Sequence, residues 1–317
     1  MQPRVAVLGS GPIVPHHLRA LAGAGLEVGG IASMRRGSTR VRQVAKEWNV
    51  PRVYEVWESM LEAEEGWDGV VIATHIDGLA PALERALNLE DVPVLVEKPV
   101  AWTASEVERF ADRGHHRVLV NYHRRRYASV LRARDFVANR SPLLATFVLP
   151  EMTADVSKYI GNGCHGMDTI RFIFGDVHLC DATQVVHEGR ARGFTATMQS
   201  GRGDVITVIG NWGTPASMLA WFDTDGARLE LRPMEMASVY RGMKIIEPSD
   251  ALPVRQYVPE RADSVSVDMS DGQKPGFLEQ AQVFRQLIET GQLDADAATL
   301  DDARAALILA YGCIAAL

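Results

Sequence analysis

The feature that most constrains the fold is an alternation of apolar runs and amphipathic segments over the first 120 residues. The runs at 4–8, 26–33, 68–73, 92–97 and 116–122 are rich in Val, Ile and Leu, which predicts strands. Repeated β-α units with apolar strands predict a parallel sheet covered by helices on both faces. Helices are expected at about 12–22, 38–48, 55–64 and 77–89, and after Thr103, where Glu106 completes a capping box.

The pattern changes after about residue 127. Segments 192–199, 203–212, 217–223 and 226–232 alternate apolar and polar residues, and the turns SGRG and TDG between them are hairpin signals. This half is predicted to form a mainly antiparallel sheet with one face packed on helices. Helices are expected at 128–138, around His165, at 276–291 and at 299–314, and the polar segment 259–275 is expected to be a surface loop.

The fold class is therefore predicted as α/β with two domains. The chain has 317 residues, of which 47% are apolar, enough for each domain to bury its own core. The first domain is predicted to span residues 1–122 and the second residues 123–317, and the helices at about 276–317 could pack back toward the first domain.

The charge and the cysteines limit the partners and the compartment. A net charge of −7 does not give the basic surface that nucleic acid or an anionic membrane requires. Cys164, Cys180 and Cys313 form no C-x-x-C pair, which favours a reducing compartment. The sequence shows neither a signal peptide nor an apolar run of ~20 residues. We expect a cytoplasmic protein without a metal site.

A glycine-rich turn follows the first predicted strand. The segment from Gly9 to Val14 reads GSGPIV, which matches G-x-G-x-x-G at the first two glycines only. Gly9 allows the tight turn, and Gly11 allows a pyrophosphate to approach the backbone. A helix that starts at this turn offers free N–H groups to phosphate. Gly9, Gly11, Pro12 and Ile13 are therefore predicted to contact the cofactor.

The end of the second strand bears on the choice of cofactor. NAD-binding sites usually place Asp or Glu there, but residues 33–40 read SMRRGSTR. Ser33, Arg35 and Arg36 are groups that could hold a 2′-phosphate, which favours NADP(H) over NAD(H). The alternative is that both arginines are solvated surface charges.

Lys98 is the most informative single residue of the first half. It lies in the segment Glu97-Lys98-Pro99 at the end of a strand, where α/β sheets bind ligands. The chain has five lysines against 28 arginines, and an ammonium can polarise a carbonyl and relay a proton, whereas a guanidinium stays charged. The alternative is an ordinary surface turn.

Several motifs occur together in the order of a known family: GSGPIVPHHLRAL, IAT, VLVEKPVAWT, the His165-x-x-Asp168 segment followed by IRFIFGD, and FLEQAQVFRQLIETG. With them the chain resembles the Gfo/Idh/MocA oxidoreductases over nearly its whole length. The resemblance implies that residues 1–122 form a dinucleotide-binding Rossmann domain. It implies that residues 123–317 form a substrate-binding α/β domain whose open antiparallel sheet commonly forms the oligomer interface. It implies hydride transfer between a nicotinamide and a hydroxyl or ketone carbon of a sugar, nucleotide sugar or cyclitol.

The resemblance also implies roles for individual residues. Lys98 corresponds to the catalytic lysine beside the nicotinamide, Glu97 to the cofactor wall, and Thr74 to a residue beside the cofactor. His165 corresponds to the active-site histidine, and the Lys98-Pro99 bond would be cis. His75 replaces the usual proline after the threonine but still falls in the predicted cofactor turn.

The clearest departure from the family is Gly161, because many members carry an aspartate four residues before the histidine. Either another group then assists His165, with Asp168, Tyr159, Tyr122 and His123 as the candidates, or the chemistry has changed. A structural role for His165 as a hydrogen-bonded helix residue is the alternative. The predicted substrate-binding set is Tyr122, His123, Arg124, Tyr159, Asn162 and Asp168.

Two further expectations concern the substrate and the function class. Arg124 or Arg125 is expected to contact an anionic substrate group, because both follow a strand near the crevice of the sheet. The alternatives to a sugar oxidoreductase are a non-catalytic dinucleotide or sugar sensor and a reductase of a non-sugar carbonyl or imine. We expect a homo-oligomer, either a dimer or a tetramer.

Overall fold

The computed structural model describes residues 2–63, 66–114, 116–152, 155–270 and 272–315. Contacts divide the chain into two compact units, each assembled from separate segments rather than from the continuous ranges expected from the sequence. The first unit comprises Met1–Arg126, Ile160–Asp168 and Asp268–Ile308, and the second comprises Tyr127–Tyr159, Thr169–Val267 and Leu309–Leu317.

The first unit contains a parallel sheet. Its strands are β1 (Arg4–Leu8), β2 (Glu27–Ala32), β3 (Val53–Tyr54), β4 (Gly69–Ile72), β5 (Val94–Val96) and β6 (Val118–Val120). The order β3-β2-β1-β4-β5-β6, with every neighbouring pair parallel, is that of the dinucleotide-binding fold. The predicted Rossmann sheet is confirmed.

Helices follow the strands of this sheet as the periodicity predicted. They are α1 (Val14–Gly23), α2 (Thr39–Glu47), α3 (Trp57–Leu61), α4 (Ile76–Ala86) and α5 (Ala104–Gly114). The capping box before α5 is present: the Thr103 N–H donates to Glu106 Oε2 over 3.0 Å, and the Glu106 N–H donates to Thr103 Oγ1 over 3.3 Å.

The second unit contains a mainly antiparallel sheet, as predicted. The remaining elements of the chain are α6 (Ala128–Ala138), β7 (Leu144–Glu151), α7 (Val156–Phe174), β8 (Val177–His187), β9 (Arg190–Ser200), β10 (Val205–Trp212), β11 (Leu219–Thr224), β12 (Ala227–Leu231), β13 (Met236–Ile246), β14 (Gln256–Ser266), α8 (Phe277–Thr290) and α9 (Leu300–Ile314). The strand order is β14-β13-β12-β11-β7-β10-β9-β8, and only β7 and β10 pair in parallel.

The surface-loop prediction for 259–275 is wrong for its first part. Residues up to Ser266 belong to β14, which pairs with β13. Nearly every residue of β14 is exposed, so the strand has no buried face and shows no apolar alternation. Asp271 of the same segment lies outside the described residues.

The first unit is completed by α8, the middle of α7 and the first part of α9. Phe277, Phe284 and Leu287 of α8 are buried in the same core as Val5 of β1 and Leu18 of α1. α7 begins in the second unit, where the Asp155 carboxylate accepts hydrogen bonds from the N–H groups of its first turn, and its middle, Ile160–Asp168, belongs to the first unit. Among the described residues, no helix combines the length and the apolar character that crossing a bilayer requires.

Candidate active site

The glycine-rich turn lies between β1 and α1 and leaves room for a ligand. Gly9 has a φ of 143°, and a Cβ there would overlap the carbonyl oxygen of Ala73, so only glycine fits. A Cβ at Gly11 would meet no atom within 4 Å. Within the described residues, the N–H groups of Ser10 and Gly11 donate no hydrogen bond to the protein. The turn therefore offers donors and open space beside the start of a helix, which suits a phosphate.

A cavity of about 430 Å³ extends from this turn across the ends of β2 and β4. Six residues predicted to bind the cofactor line it: Gly9, Gly11, Ser33, Arg35, Thr74 and His75. The other predicted residues, Pro12, Ile13, Arg36, Glu97 and Lys98, are not part of its lining. Its glycine turn and its place at the carboxyl ends of the strands fit a dinucleotide.

The charged groups of the cavity bear on the 2′ position of the ribose. Arg35 is exposed, and its N–H donates to Ser33 Oγ over 3.3 Å. The cavity does contain a carboxylate, Asp77, but it lies in the first turn of α4 and accepts hydrogen bonds from Trp102 Nε1 (2.7 Å) and His75 Nδ1 (3.0 Å). The end of β2 therefore presents a hydroxyl and a guanidinium but no acid.

Glu97 is held inside the first unit rather than in the wall of the cavity. Its Oε1 accepts hydrogen bonds from His17 Nε2 (2.8 Å) and Asn121 Nδ2 (2.6 Å). Burial opposes its negative charge, but the hydrogen bond and charge of His17, the charge of Lys98 and the Asn121 amide outweigh burial and lower the pKa of Glu97 to about 2. Glu97 is thus a carboxylate that fixes α1 against β5 and β6.

Lys98 lies at the end of β5, and its peptide bond to Pro99 is cis, as the resemblance implied. The Lys98 ammonium is half-buried and donates a hydrogen bond to the carbonyl oxygen of Gly161 over 2.6 Å. A Cβ at Gly161 would meet nothing within 4 Å. The lysine is therefore anchored to the turn of α7 that precedes His165, next to space that a side chain at 161 would occupy.

His165 lies one turn further along α7 and is 5% exposed. Its ring packs edge-on against Tyr122, with ring centroids 5.6 Å apart, and against His123, at 5.1 Å. Burial and the positive charges of Lys98 and Arg124 hold the pKa of His165 well below its usual range. The imidazole is consequently neutral near pH 7 and can accept a proton.

His123 forms the other side of this pair. Its Nδ1 lies 3.0 Å from the carbonyl oxygen of Pro275 and must donate to it, and its ring packs against Phe277 at 4.7 Å. Burial and the charge of Lys274 lower the pKa of His123 to about 3. Two neutral imidazoles therefore lie side by side in a cationic setting.

The predicted role of Asp168 in substrate binding does not agree with its surroundings. Asp168 is 1% exposed, and its carboxylate accepts hydrogen bonds from Arg125 Nε (3.0 and 3.1 Å) and Nη2 (2.6 Å). Arg125 also reaches Asp302 Oδ1 at 3.1 Å and the Ala297 carbonyl at 3.3 Å. Arg125 was the other arginine expected to contact the substrate, and it is held in this ion pair. Turning either partner away would leave a buried charge without compensation.

Tyr159 also lies elsewhere than predicted. It is fully buried in the second unit, where its ring packs against Phe194 (5.4 Å) and Trp212 (6.1 Å). This large aromatic residue belongs to a core rather than to the histidine pair. Asn162 is exposed on α7, and Arg124 is half-buried next to His123.

Tyr122 lies beside His165, where a residue that assists the histidine was expected. It is fully buried against His165 and next to the thiol of Cys164. Burial and the neighbouring Cys164 and Asp168 raise the pKa of Tyr122 well above its usual range. Its phenol therefore stays protonated and can act only as a neutral hydrogen-bonding group.

Lys274 is a further cation beside the two histidines, and no sequence pattern had marked it as a site residue. It precedes α8, and its Nζ lies 5.1 Å from the centre of the Phe277 ring. It is one of only five lysines in the chain and stands in a Lys-Pro-Gly turn, which is the signal that could have drawn attention to it. Among the residues that the structure describes, no group of three or more His, Cys, Asp or Glu side chains is placed to hold a metal ion.

The N-terminal domain resembles a known family of enzymes. Residues 3–122 match the Gfo/Idh/MocA family, described as an oxidoreductase family with an NAD-binding Rossmann fold. The N-terminal domain thus matches the family that the motifs suggested.

Two curated Gfo/Idh/MocA-like relatives match about half of the chain. Inositol 2-dehydrogenase 1 of Saccharopolyspora erythraea is 30% identical over 192 residues, which are 55% of each protein. The rhizopine catabolism protein MocA of Rhizobium meliloti is 28% identical over 193 residues, which are 54% of this chain and 57% of that protein. The chain thus spans little more than half the length of the curated relatives it matches.

The fold similarity extends further than the sequence similarity. The crystal structure of myo-inositol dehydrogenase from Lactobacillus casei, in complex with NAD(H) and myo-inositol, has a TM-score of 0.74 to this chain. The match covers 99% of this chain and 94% of that one at 16% identity. At that identity the likeness establishes a shared fold and no more.

Proposed function

We propose that this protein is an NADP(H)-dependent oxidoreductase that transfers hydride between the nicotinamide and a hydroxyl or ketone carbon of a sugar, nucleotide sugar or cyclitol. The family match and the inositol dehydrogenase among the relatives support the reaction type. The observation that carries the proposal is the anchoring of Lys98 to Gly161, one helical turn from the buried, neutral His165.

In this proposal Lys98 and His165 divide the proton chemistry. When bound, the nicotinamide supplies the hydride acceptor or donor. The Lys98 ammonium hydrogen-bonds the reacting oxygen and stabilises negative charge that develops on it. The His165 imidazole accepts the hydroxyl proton, which its neutral state allows. Tyr122 and His123 pack against His165 and hold its ring in place.

The preference for NADP(H) is supported by Ser33 and Arg35. Both line the cavity at the end of β2, where an acid would repel a 2′-phosphate and hold a ribose hydroxyl instead. A guanidinium at this position can pair with phosphate. Arg36, which is exposed outside the cavity lining, is a second cation within the same segment.

The experiment is a spectrophotometric assay of nicotinamide oxidation and reduction at 340 nm with a panel of sugars, cyclitols and their ketones. We expect turnover with at least one member, with NADP(H) used more efficiently than NAD(H), and loss of turnover in Lys98→Met. Turnover with neither cofactor, while the cofactor still binds in a fluorescence titration, would refute catalysis.

A non-catalytic sensor on the same fold is the second candidate. It is favoured by two observations on α7: Gly161 supplies no carboxylate, and Asp168 is paired with Arg125. The sensor hypothesis requires a cofactor-bound protein that binds a sugar without converting it. If the panel is extended to non-sugar ketones and cyclic imines, the same assay also tests the third candidate, a non-sugar reductase.

We also propose that the chain self-associates through the second unit. The β13–β14 hairpin exposes several large apolar side chains, including Met243 (53%), Ile245 (51%) and Tyr257 (61%). Such a patch on a hairpin favours contact with another surface. Light scattering after size exclusion should give the mass of a dimer or tetramer for the wild type and a smaller mass for Ile245→Glu/Tyr257→Glu. A monomeric wild type would exclude self-association.

A further inference from the structure

Three cationic side chains lie around the two histidines of the first unit. Lys98 reaches Gly161 on α7, Arg124 follows His123 directly in the chain, and Lys274 lies on the segment that contacts His123. The positive charges of all three oppose protonation of His165. A set of like charges around two neutral imidazoles is costly unless a ligand supplies the opposite charge.

The position of Lys274 is fixed by its neighbours. The Pro275 carbonyl accepts the hydrogen bond from His123 Nδ1 over 3.0 Å. Gly276 has a φ of 75°, and a Cβ there would overlap the carbonyl oxygen of His123, so the two backbones lie in direct contact. The Lys274 ammonium then rests 5.1 Å from the centre of the Phe277 ring, which itself packs on His123. Lys274 is therefore held beside the histidine pair.

The acids nearby do not neutralise these ammonium groups. Within the described parts of the chain, no carboxylate lies at ion-pair distance from Lys98 or Lys274. Glu97 is the acid whose charge reaches both lysines, and it is already hydrogen-bonded by His17 and Asn121. Burial, Lys98 and Arg124 lower the pKa of Lys274 despite Glu97.

We propose that Lys274, together with Lys98 and Arg124, binds an anionic group of the substrate, a carboxylate or a phosphate. The substrate would then be an acidic or phosphorylated sugar or polyol rather than a neutral one. This rests on the proposed function, because it assumes that the ligand beside Lys98 is the substrate of hydride transfer. Arg124 supplies a planar fork that suits either anion, and the two lysines supply point charges.

Binding of an anion also has a consequence for His165. A negative charge among Lys98, Arg124 and Lys274 would offset the repulsion that now opposes the imidazolium, so His165 could take up a proton more readily in the complex. The substrate would thus contribute to the basicity of the group that accepts its proton. A neutral sugar of the same shape would lack this effect.

The test is calorimetric binding of D-glucuronate, D-glucose 6-phosphate and D-glucose to the enzyme saturated with NADPH, with the absorbance at 340 nm followed to show that their open-chain aldehyde forms are not reduced during the titration. We expect at least one anion to bind more than tenfold tighter than glucose. Lys274→Met should reduce this preference about tenfold, Lys274→Arg should retain most of it, and Lys244→Met, at an exposed lysine of β13, should leave it unchanged.

Three results would overturn the inference. One is equal binding of glucose and both anions, and another is no measurable binding of either anion. The third is an anion preference that survives in Lys274→Met and Lys274→Gln while both variants bind NADPH more than tenfold more weakly, which would assign Lys274 to the cofactor phosphates. An anion preference without hydride transfer in any assay would instead refute the proposed function and leave the anion site standing.

Discussion

The Lys98 ammonium is hydrogen-bonded to the main-chain carbonyl of Gly161, one turn before His165 on α7. A carbonyl oxygen orients the ammonium but does not neutralise it. In the proposed reaction Lys98 would face the reacting oxygen without a paired acid at 161, and the proton would pass without help from a carboxylate at that position.

Lys98→Met should abolish most of the turnover without releasing the cofactor. Its ammonium stabilises charge only when the reacting oxygen becomes negative, so we expect kcat to fall roughly 10²–10⁴-fold. The dissociation constant of NADPH, measured by fluorescence titration, should change by less than about threefold. Lys244→Met is the matched control. A loss of kcat below tenfold would contradict the catalytic role.

Gly161→Asp should fold and should change the pH profile. The open space at the Gly161 Cβ accommodates the side chain, and the new carboxylate would lie one turn before His165 and beside Lys98. A negative charge there raises the pKa of His165, so the acid limb of kcat/KM should move to higher pH by about one unit. Gly161→Ala separates the effect of volume from that of charge. Identical profiles for the two variants would refute the electrostatic explanation.

Arg35→Ala should weaken NADPH binding selectively. Loss of one guanidinium–phosphate contact is expected to raise the dissociation constant for NADPH about tenfold and that for NADH less than twofold. Ser33→Asp should reverse the preference, because a carboxylate repels the 2′-phosphate and can hold the ribose hydroxyl. Arg190→Ala, at an exposed position of β9, is the control. Equal effects on both cofactors would place Arg35 outside the 2′ site.

Asp168→Asn should destabilise the protein through Arg125. The substitution leaves a buried guanidinium with one carboxylate fewer, which costs about 3–5 kcal/mol of the free energy of unfolding. Asp176→Asn removes the exposed partner of Arg171 and should cost less than about 1 kcal/mol. Urea unfolding measures both. A small effect of Asp168→Asn together with lost substrate binding would return Asp168 to the role that the sequence suggested.

His123 should make the protein sensitive to acid. Its pKa is about 3 in the folded chain and about 6.5 when unfolded, so the unfolded state binds the extra proton between these values. The protein keeps this part of its free energy of unfolding in full above pH 6.5. It loses at most about 5 kcal/mol of that free energy as the pH falls toward 3. His123→Asn keeps a donor for the Pro275 carbonyl and should flatten the dependence of unfolding free energy on pH over this window. An unchanged slope would contradict the assignment.

The sequence predicted the elements that have strong periodicity or a defined turn chemistry. The parallel strands, the Gly9 turn and the Thr103 cap follow from local patterns, and α6 begins and ends where the periodicity indicated. It could not show β14, whose exposed residues carry no apolar period, or β3, which has two residues. The parallel pairing of β7 with β10 joins strands that are distant in the chain.

The candidate site was predictable only in part, for a related reason. Lys98, Tyr122, His123 and His165 were expected and do lie together. The spacing along α7 correctly put Asp168 on the face of His165, but no local pattern shows that Arg125 claims its carboxylate. Lys274 is brought to the histidines by the next residue, Pro275, whose carbonyl contacts His123 across 152 positions of the chain. Contacts of that range depend on the folded chain.

The ion pairs of Arg125 have a consequence for folding during synthesis. Arg125 is joined to Asp168 and Asp302, and His123 is joined to Pro275. The ribosome therefore releases every strand of the Rossmann sheet long before Pro275 and Asp302, which complete these contacts, have been synthesised. During that interval the Arg125 guanidinium lacks its Asp302 partner even after Asp168 has emerged, so its set of ion pairs is complete only near the end of translation.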